Sequence, residues 1–234
     1  MKFGVLIFPG SNCDHDTYNV VTRVLGEHAT MLWHASTDLE NCDAILVPGG
    51  FAYGDYLRTG AIAKFAPIME PVKRFAASGG LVLGICNGFQ ILAEAGLLPG
   101  ALMRNANQHY ICKQVNLKTE TVDSPFTHGF NKGEVLRMPV GHMEGNYFCD
   151  EETLATLKRD DRIAFRYSDA AGSTDARHNA NGSLENIAGI LSAGRNVLGM
   201  MPHPDRSSES LLGSADGLGL FRSMAESQMA SHTR

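Results

Sequence analysis

No stretch of this 234-residue sequence approaches the roughly 18 consecutive apolar residues that a membrane span requires, so no membrane attachment is expected. The opening Met1-Lys2-Phe3-Gly4 lacks a long apolar core and an A-x-A cleavage site, which argues against a secretory leader. Positive charge is not in excess. Lys and Arg number 20 against 25 Asp and Glu, a formal net charge of -5, which argues against a nucleic-acid binder that works through a basic surface. The five cysteines are an odd number in a chain of this length and do not read as a disulfide framework. Reduced thiols in a cytoplasmic protein are expected. There is no collagen period, no Pro/Ser tract, no internal repeat and no linker, so one domain over residues 1–234 is expected. What is present suits a packed fold: 44% apolar residues and 19% charged residues provide for a core. Glycine is in surplus, 25 residues, about 11% against a usual share of roughly 7%, which implies many tight turns or close backbone approaches to a ligand.

Hydrophobic runs and turn signals alternate along the chain. Phe3–Phe8 is continuously apolar and stops at Pro9-Gly10-Ser11-Asn12, as a strand buried on both faces of a parallel sheet would. Ser11 or Asn12 can cap a following helix that turns Tyr18, Val21, Val24 and Leu25 inward and ends near Gly26. Further strands are predicted at 29–33, 42–47 and 80–85. A helical stretch over roughly 60–77 is bent at Pro67 and Pro71, and another helix runs from Asn87 to Ala95. Beyond residue 110 the texture changes. Strands near 111–118, 134–138 and 163–167 alternate and look antiparallel, with a short helix from Asp150 to Lys158. Asn181-Gly182 has hairpin chemistry, 187–190 and 196–201 are again strands, and a terminal helix covers Leu218 to Met229. The order implies an α/β fold: an open, mostly parallel, flavodoxin-like sheet with helices on both faces and antiparallel strands in its C-terminal half.

The sharpest chemical signal is Gly84-Ile85-Cys86-Asn87-Gly88, between a buried strand and a helix. This is the spacing of a nucleophile elbow with Cys in place of Ser. Glycines two residues to each side remove side chains that would collide in so sharp a turn. The thiol is aimed out at the carboxyl end of the sheet, at a helix N-terminus that favours thiolate. A free cysteine is more often a small buried apolar residue, but the flanking glycines and the strand-turn-helix setting weigh against that. The thiol needs a base. His203 follows Gly199-Met200-Met201-Pro202, so it stands at the carboxyl end of another buried strand, and Asp205 lies two residues on, able to orient the ring. An oxyanion hole can draw on the N–H of Asn87 and on the Gly49–Phe51 loop, with Gly50 and Phe51 as donors. The cluster Cys13-Asp14-His15-Asp16 has a superficial look of metal ligands but lacks zinc spacing. It reads as an acidic helix start, and no metal is expected. Asn181-Gly182-Ser183 is formally a glycosylation sequon and reads better as a turn.

Together these residues resemble the class I (triad) glutamine amidotransferases. The likeness covers essentially the whole chain and includes Phe8–Asp14, the Gly/aromatic loop Pro48–Arg58, Gly84–Gln90, Met138–Gly145, Asn181–Ser183 and Gly199–Pro204. It implies glutamine as substrate, with Cys86 as nucleophile, His203 as base and a γ-glutamyl thioester as intermediate. Gln90, His142 and Glu144 are implied to line the glutamine pocket, while ordinary polar or bridging roles for them stay open. The family usually has His-Pro-Glu where this chain has His203-Pro204-Asp205, so the acid is shorter by one methylene, and Glu209 is an alternative acid. Residue 141 is Gly where Ala is usual. The resemblance also implies that ammonia passes to an ATP-dependent synthetase subunit, with a small third subunit in some assemblies. The chain has no Walker loop and no G-x-G-x-x-G, so ATP and Mg are expected on that partner and no cofactor here. The loop bearing Tyr53, Tyr56 and Arg58 either contacts the partner or packs over the site. Two rival readings remain at this level: a stand-alone Cys hydrolase such as a γ-glutamyl hydrolase, or a degenerate, non-catalytic glutaminase in which Asp205 spoils the triad.

Overall fold

The computed structural model describes residues 1–231. Eleven strands and five α-helices are distinguished among them. The strands are β1 (Lys2–Ile7), β2 (His28–Trp33), β3 (Ala44–Val47), β4 (Leu81–Ile85), β5 (Ala101–Met103), β6 (Ile111–Thr119), β7 (Val135–His142), β8 (Asn146–Phe148), β9 (Ile163–Ser168), β10 (Ile187–Leu191) and β11 (Val197–Met200). The helices are α1 (Asp14–Asn19), α2 (Met69–Ala77), α3 (Asn87–Glu94), α4 (Glu151–Arg159) and α5 (Leu218–Ser231). Nine strands form one sheet in the order β2-β1-β3-β4-β11-β10-β9-β6-β7. The first five are mutually parallel, and the ladder turns antiparallel from β11 to β10 and onward to β7.

The parallel half is where the continuous apolar runs lie. Every residue of β3, β4 and β11 is buried, which explains why these segments show no polar alternation. Each fully buried Leu, Ile or Val there contributes roughly 1.5–3 kcal/mol relative to exposure. In β6 and β7 buried residues alternate with more exposed ones, the pattern of a half-covered antiparallel pair. Register then decides what the rim of the sheet holds. Val47 of β3 pairs with Gly84, and Gly199 and Met200 of β11 pair with Gly84 and Ile85. The residues that follow these three strands, near 49, 86 and 203, therefore emerge at the same edge.

Several boundaries differ from the sequence-based expectation. The first helix is preceded by Cys13 rather than capped by Ser11 or Asn12, because the Ser11 hydroxyl instead accepts the Phe8 N–H at 3.0 Å. This helix widens into a π-helical segment, Val20–Leu25, before Gly26 ends it at φ 79°. The stretch 60–77 is a 3-10 turn, Ala63–Phe65, followed by α2, with Pro71 early in that helix. The strand expected at 134–138 runs on through Pro139 to His142. As the outer strand of the sheet, β7 can hold a proline without losing a ladder bond on its free side. The pair β5–β8 was not anticipated at all. Asn181-Gly182 makes no two-residue hairpin. β9 and β10 are antiparallel neighbours joined by the long 169–186 connection, and Asn181 turns inward to donate to the Gly145 carbonyl at 2.7 Å.

Candidate active site

Cys86 stands between β4 and α3 with φ 51° and ψ -106°, a sparsely populated conformation for a residue with a side chain. The flanking glycines make the turn possible. A Cβ on Gly88 would lie 1.8 Å from the Val47 carbonyl oxygen, and one on Gly84 would lie 2.8 Å from the backbone of Gly88. The elbow is fastened to its neighbour by the Cys86 N–H, which donates to the Met200 carbonyl at 2.8 Å. The residue is 5% exposed, and its thiol points toward the Gly141 carbonyl, 3.7 Å away at the end of β7.

Gly49 is the meeting point of the reactive side chains. A Cβ there would be 2.7 Å from His203 Cε1, 3.1 Å from Cys13 Sγ and 3.5 Å from Cys86 Cβ. His203 is held by its own N–H, which donates to the Pro139 carbonyl at 2.9 Å, and by its Nδ1, 3.2 Å from Asp205 Oδ1. Burial works to lower the His203 pKa. The Asp205 carboxylate and the Cys86 thiolate, with hydrogen bonds to Asp205 and Cys13, outweigh it and hold the imidazole well above its ordinary value. Asp205 is buried and reaches the ring with one oxygen, while Oδ2 is buried without a partner among the described residues. Glu209 is half-buried and pairs through its backbone with Ser214, so it takes no part in the His203 contacts.

The sequence places Cys13 at an acidic helix start and within the Phe8–Asp14 stretch of the resemblance, with no role of its own. Its sulfur, His203 and Asp205 instead bring one donor atom each within 4.8 Å of one another, whereas His15 and Asp16 are exposed. Arg206 Nη2 donates to Cys13 Sγ at 3.0 Å and Arg206 Nε to Asp16 at 3.1 Å, so a fixed guanidinium already supplies positive charge beside that thiol. Burial raises the Cys13 pKa, and this thiol donates to Asn12 Oδ1.

The oxyanion loop needs one correction. The Phe51 N–H donates to the Gly10 carbonyl at 2.9 Å and is engaged, which leaves the amides of Gly50 and Asn87 as candidate donors. The loop is tied to the elbow by a chain of side-chain amides. The Ala52 N–H donates to Asn87 Oδ1 at 3.0 Å, Asn87 Nδ2 donates to Gln90 Oε1 at 2.9 Å, and Gln90 Nε2 donates to the Glu144 carbonyl at 2.5 Å. Gln90 thus bridges the elbow helix and the 142–145 turn with both ends of its amide, while also lining the cavity beside Cys86.

That cavity has a volume of about 270 Å³ and is lined by Gly50, Phe51, Cys86, Gln90, Arg104 and Gly141–Glu144, together with Asp55 and Thr59. His142 is buried. Asn105 Nδ2 donates to the carbonyls of His109 and His142, so its Oδ1 accepts from the Gly145 N–H and from His142 Nδ1, both at 3.1 Å. That fixes the proton on Nδ1 and leaves Nε2, buried and unpartnered, as an acceptor. Burial, then His203, lowers the His142 pKa to about 4, so the ring is neutral. Glu144 meets Arg104 Nε at 3.6 Å. Burial, then Glu144, raises the Asp55 pKa to about 6. The Gly/aromatic loop divides. Tyr53 is half-buried and shares a 2.6 Å hydrogen bond with His34, Arg58 forks onto Glu94, and Tyr56 and Leu57 are 73% and 90% exposed.

The model of the CobB/CobQ-like glutamine amidotransferase domain matches residues 1–217. The chain belongs to the CobB/CobQ-like glutamine amidotransferase family. The phosphoribosylformylglycinamidine synthase subunit PurQ from Koribacter versatilis (strain Ellin345) is 67% identical over 96% of this chain and 97% of its own length. The subunit of the same name from Gloeobacter violaceus is 52% identical over 98% and 99%. The structure of PurLQS from Thermotoga maritima contains a chain that superposes with a TM-score of 0.86 at 39% identity, covering 97% of this chain and 98% of that one.

For a glutamine amidotransferase, the residues to which local sequence patterns assign no role are Asp55, Arg104, Asn105, Tyr110 and Arg206. Tyr110 stands over Gly141: a Cβ at that glycine would be 3.1 Å from its hydroxyl, so the small residue at 141 leaves the tyrosine room beside Cys86. Burial, then the Cys86 charge, raises the Tyr110 pKa. None of these five lies in a periodic pattern. Asp55 lies inside the Gly/aromatic loop, and the other four are marked only by the motifs near them.

Proposed function

We propose that this chain is the glutaminase subunit of phosphoribosylformylglycinamidine synthase. It hydrolyses glutamine and delivers ammonia to an ATP-dependent, PurL-type synthetase subunit that makes formylglycinamidine ribonucleotide in purine biosynthesis. In some assemblies of this kind a small PurS-type subunit joins, and ATP and Mg belong to the synthetase. The observation that carries the reading is the 67% identity, over nearly the whole of both chains, to a subunit of that name, together with a thiol on a strained elbow in a family of glutamine amidotransferases.

The mechanism follows from the groups present. Cys86 attacks the side-chain amide carbon of glutamine, and the developing oxyanion is met by the amides of Asn87 and Gly50. His203 holds the proton taken from the thiol as an imidazolium and gives it to the departing nitrogen, so ammonia leaves and a γ-glutamyl thioester remains on Cys86. His203 then takes a proton from water, which attacks the thioester carbonyl, and glutamate departs as the thiol is restored. Asp205 holds the ring with Nδ1 protonated, which leaves Nε2 as the nitrogen that exchanges the proton, and stabilises the imidazolium.

The test uses the reconstituted complex. Glutaminase activity is expected to be weak in the isolated chain and strongly raised by the synthetase. Cys86→Ala abolishes glutamine-dependent synthesis and leaves ammonia-driven synthesis intact. Strong turnover without a synthetase would point to a stand-alone hydrolase, and absence of turnover in the complete complex to a non-catalytic subunit. Loss of ammonia-driven synthesis in the Cys86→Ala complex would overturn the division of labour.

A further inference from the structure

We propose that Asp55, backed by Glu144, receives the α-ammonium group of the glutamine substrate and so selects an α-amino acid over a simple primary amide. The inference rests on the glutaminase reading above. Asp55 belongs to the Gly/aromatic loop Pro48–Arg58, but the sequence pattern assigns it no role of its own. It lies in the wall of the cavity that opens on Cys86, and its Oδ1 is buried with no hydrogen-bond partner among the described residues. Glu144 enters the same cavity from the turn after β7. Asp55 has no ion-pair partner among the described residues, and the nearest cation to Glu144 is Arg104, whose guanidinium is 3.6 Å away and largely exposed. Two carboxylates thus face one small cavity with an unfilled acceptor between them. Asp55 is also held at φ 55°, a backbone strain that the surrounding loop maintains. The raised Asp55 pKa has the same origin: a half-buried carboxylate opposite another, with no cation to balance it.

The substrate supplies what is missing. With its carboxamide carbon on Cys86, glutamine carries its Cα three C–C bonds away, each about 1.5 Å, toward the far wall of the cavity. An ammonium there can donate to Asp55 Oδ1, to Glu144 and to the Thr59 hydroxyl, which lines the same cavity. Arg104 at the rim is placed to meet the α-carboxylate. Charge-assisted hydrogen bonds of this kind are the strong ones, and they are unavailable to an amide without the amino group.

The experiment compares glutamine with 4-carbamoylbutanoate, which is glutamine without its α-amino group, in the full synthetase complex. For the wild type, glutamine is preferred. Asp55→Asn is expected to raise KM for glutamine by roughly 10- to 100-fold with kcat changed only a few-fold, while use of 4-carbamoylbutanoate is little affected, so the preference collapses. Glu144→Gln, on a separate segment, gives the same selective loss at smaller size and serves if Asp55→Asn does not fold. If either folded variant loses both substrates in proportion, or keeps its KM for glutamine within twofold, the assignment of Asp55 is wrong. If the wild-type complex hydrolyses neither amide, it is the glutaminase reading that fails.

Discussion

Replacing Gly88 by alanine puts a single methyl group into the tightest place in the site. The new Cβ would stand 1.8 Å from the Val47 carbonyl oxygen and 2.7 Å from its carbon, whereas real Cβ contacts essentially never fall below 3.0 Å. Both obstacles are backbone, so no rotamer change relieves them. The elbow helix and β3 must separate by more than an ångström. Overpacking a core commonly costs about 1–3 kcal/mol, and a clash with backbone belongs at the upper end. At roughly 2–4 °C per kcal/mol for a chain of this size, a loss of about 3 kcal/mol lowers Tm by about 6–12 °C. The kinetic effect is larger. A reacting group misplaced by about 1 Å costs on the order of 100-fold, and here the displacement acts between the thiol and the loop that supplies an oxyanion donor. Gly96→Ala is the control. Gly96 follows α3 in a left-handed turn at φ 74°, and a Cβ there meets nothing within 4 Å, so alanine meets backbone strain of about 1–2 kcal/mol without a clash. Circular-dichroism melts and glutaminase rates in the synthetase complex should show both variants destabilised but only Gly88→Ala inactive by two orders of magnitude. A folded Gly88→Ala with near-normal turnover would refute the claim that contact between β3 and the elbow sets the geometry of the thiol.

Two further outcomes are expected. Asp205→Asn should lower kcat by roughly 10³- to 10⁴-fold, because the ring loses the acceptor that fixes its tautomer, while Glu209→Gln stays within about twofold; the reverse ranking in glutaminase assays would transfer the role to Glu209. The raised His203 pKa has a signature in stability. A group whose folded pKa exceeds its unfolded value stabilises the fold fully below the unfolded value, about 6.5, and loses that contribution as pH rises through the folded one. His203→Gln should therefore be most destabilised relative to wild type below pH about 6.5, with the gap in Tm narrowing toward alkaline pH. A gap that widens with pH would mean the imidazole is held neutral.

The centre of the parallel half was legible because β3, β4 and β11 are buried along their whole length. The run Leu81–Ile85 and the spacing of Gly84, Cys86 and Gly88 are one local pattern, and parallel register brings the neighbouring strand ends to the same rim. The antiparallel half was harder to delimit. The Pro139 that argues against a strand is tolerated on an outer one, so β7 extends four residues further than expected, to His142. Strands as short as Ala101–Met103 carry too few residues for a period to show. Ser11 looked like a cap because its hydroxyl can satisfy an N–H, but the one it satisfies belongs to Phe8. In the site, the roles open to Gln90, Asp55 and Cys13 depend on contacts across tens of residues: Gln90 with the Glu144 carbonyl, Asp55 opposite Glu144, Cys13 with Arg206. Such contacts leave no trace in local spacing.

The amide chain from Ala52 through Asn87 and Gln90 to the Glu144 carbonyl gears the two ends of the cavity together. In the proposed mechanism one end serves the reacting carbonyl and the other the amino-acid head, and between them stand two side chains on a single helical turn. Whatever presses on the outer turn is transmitted to the donor loop, as when two cogs share an axle. A change at Gln90 therefore cannot be confined to grip or to rate: both constants should move in step.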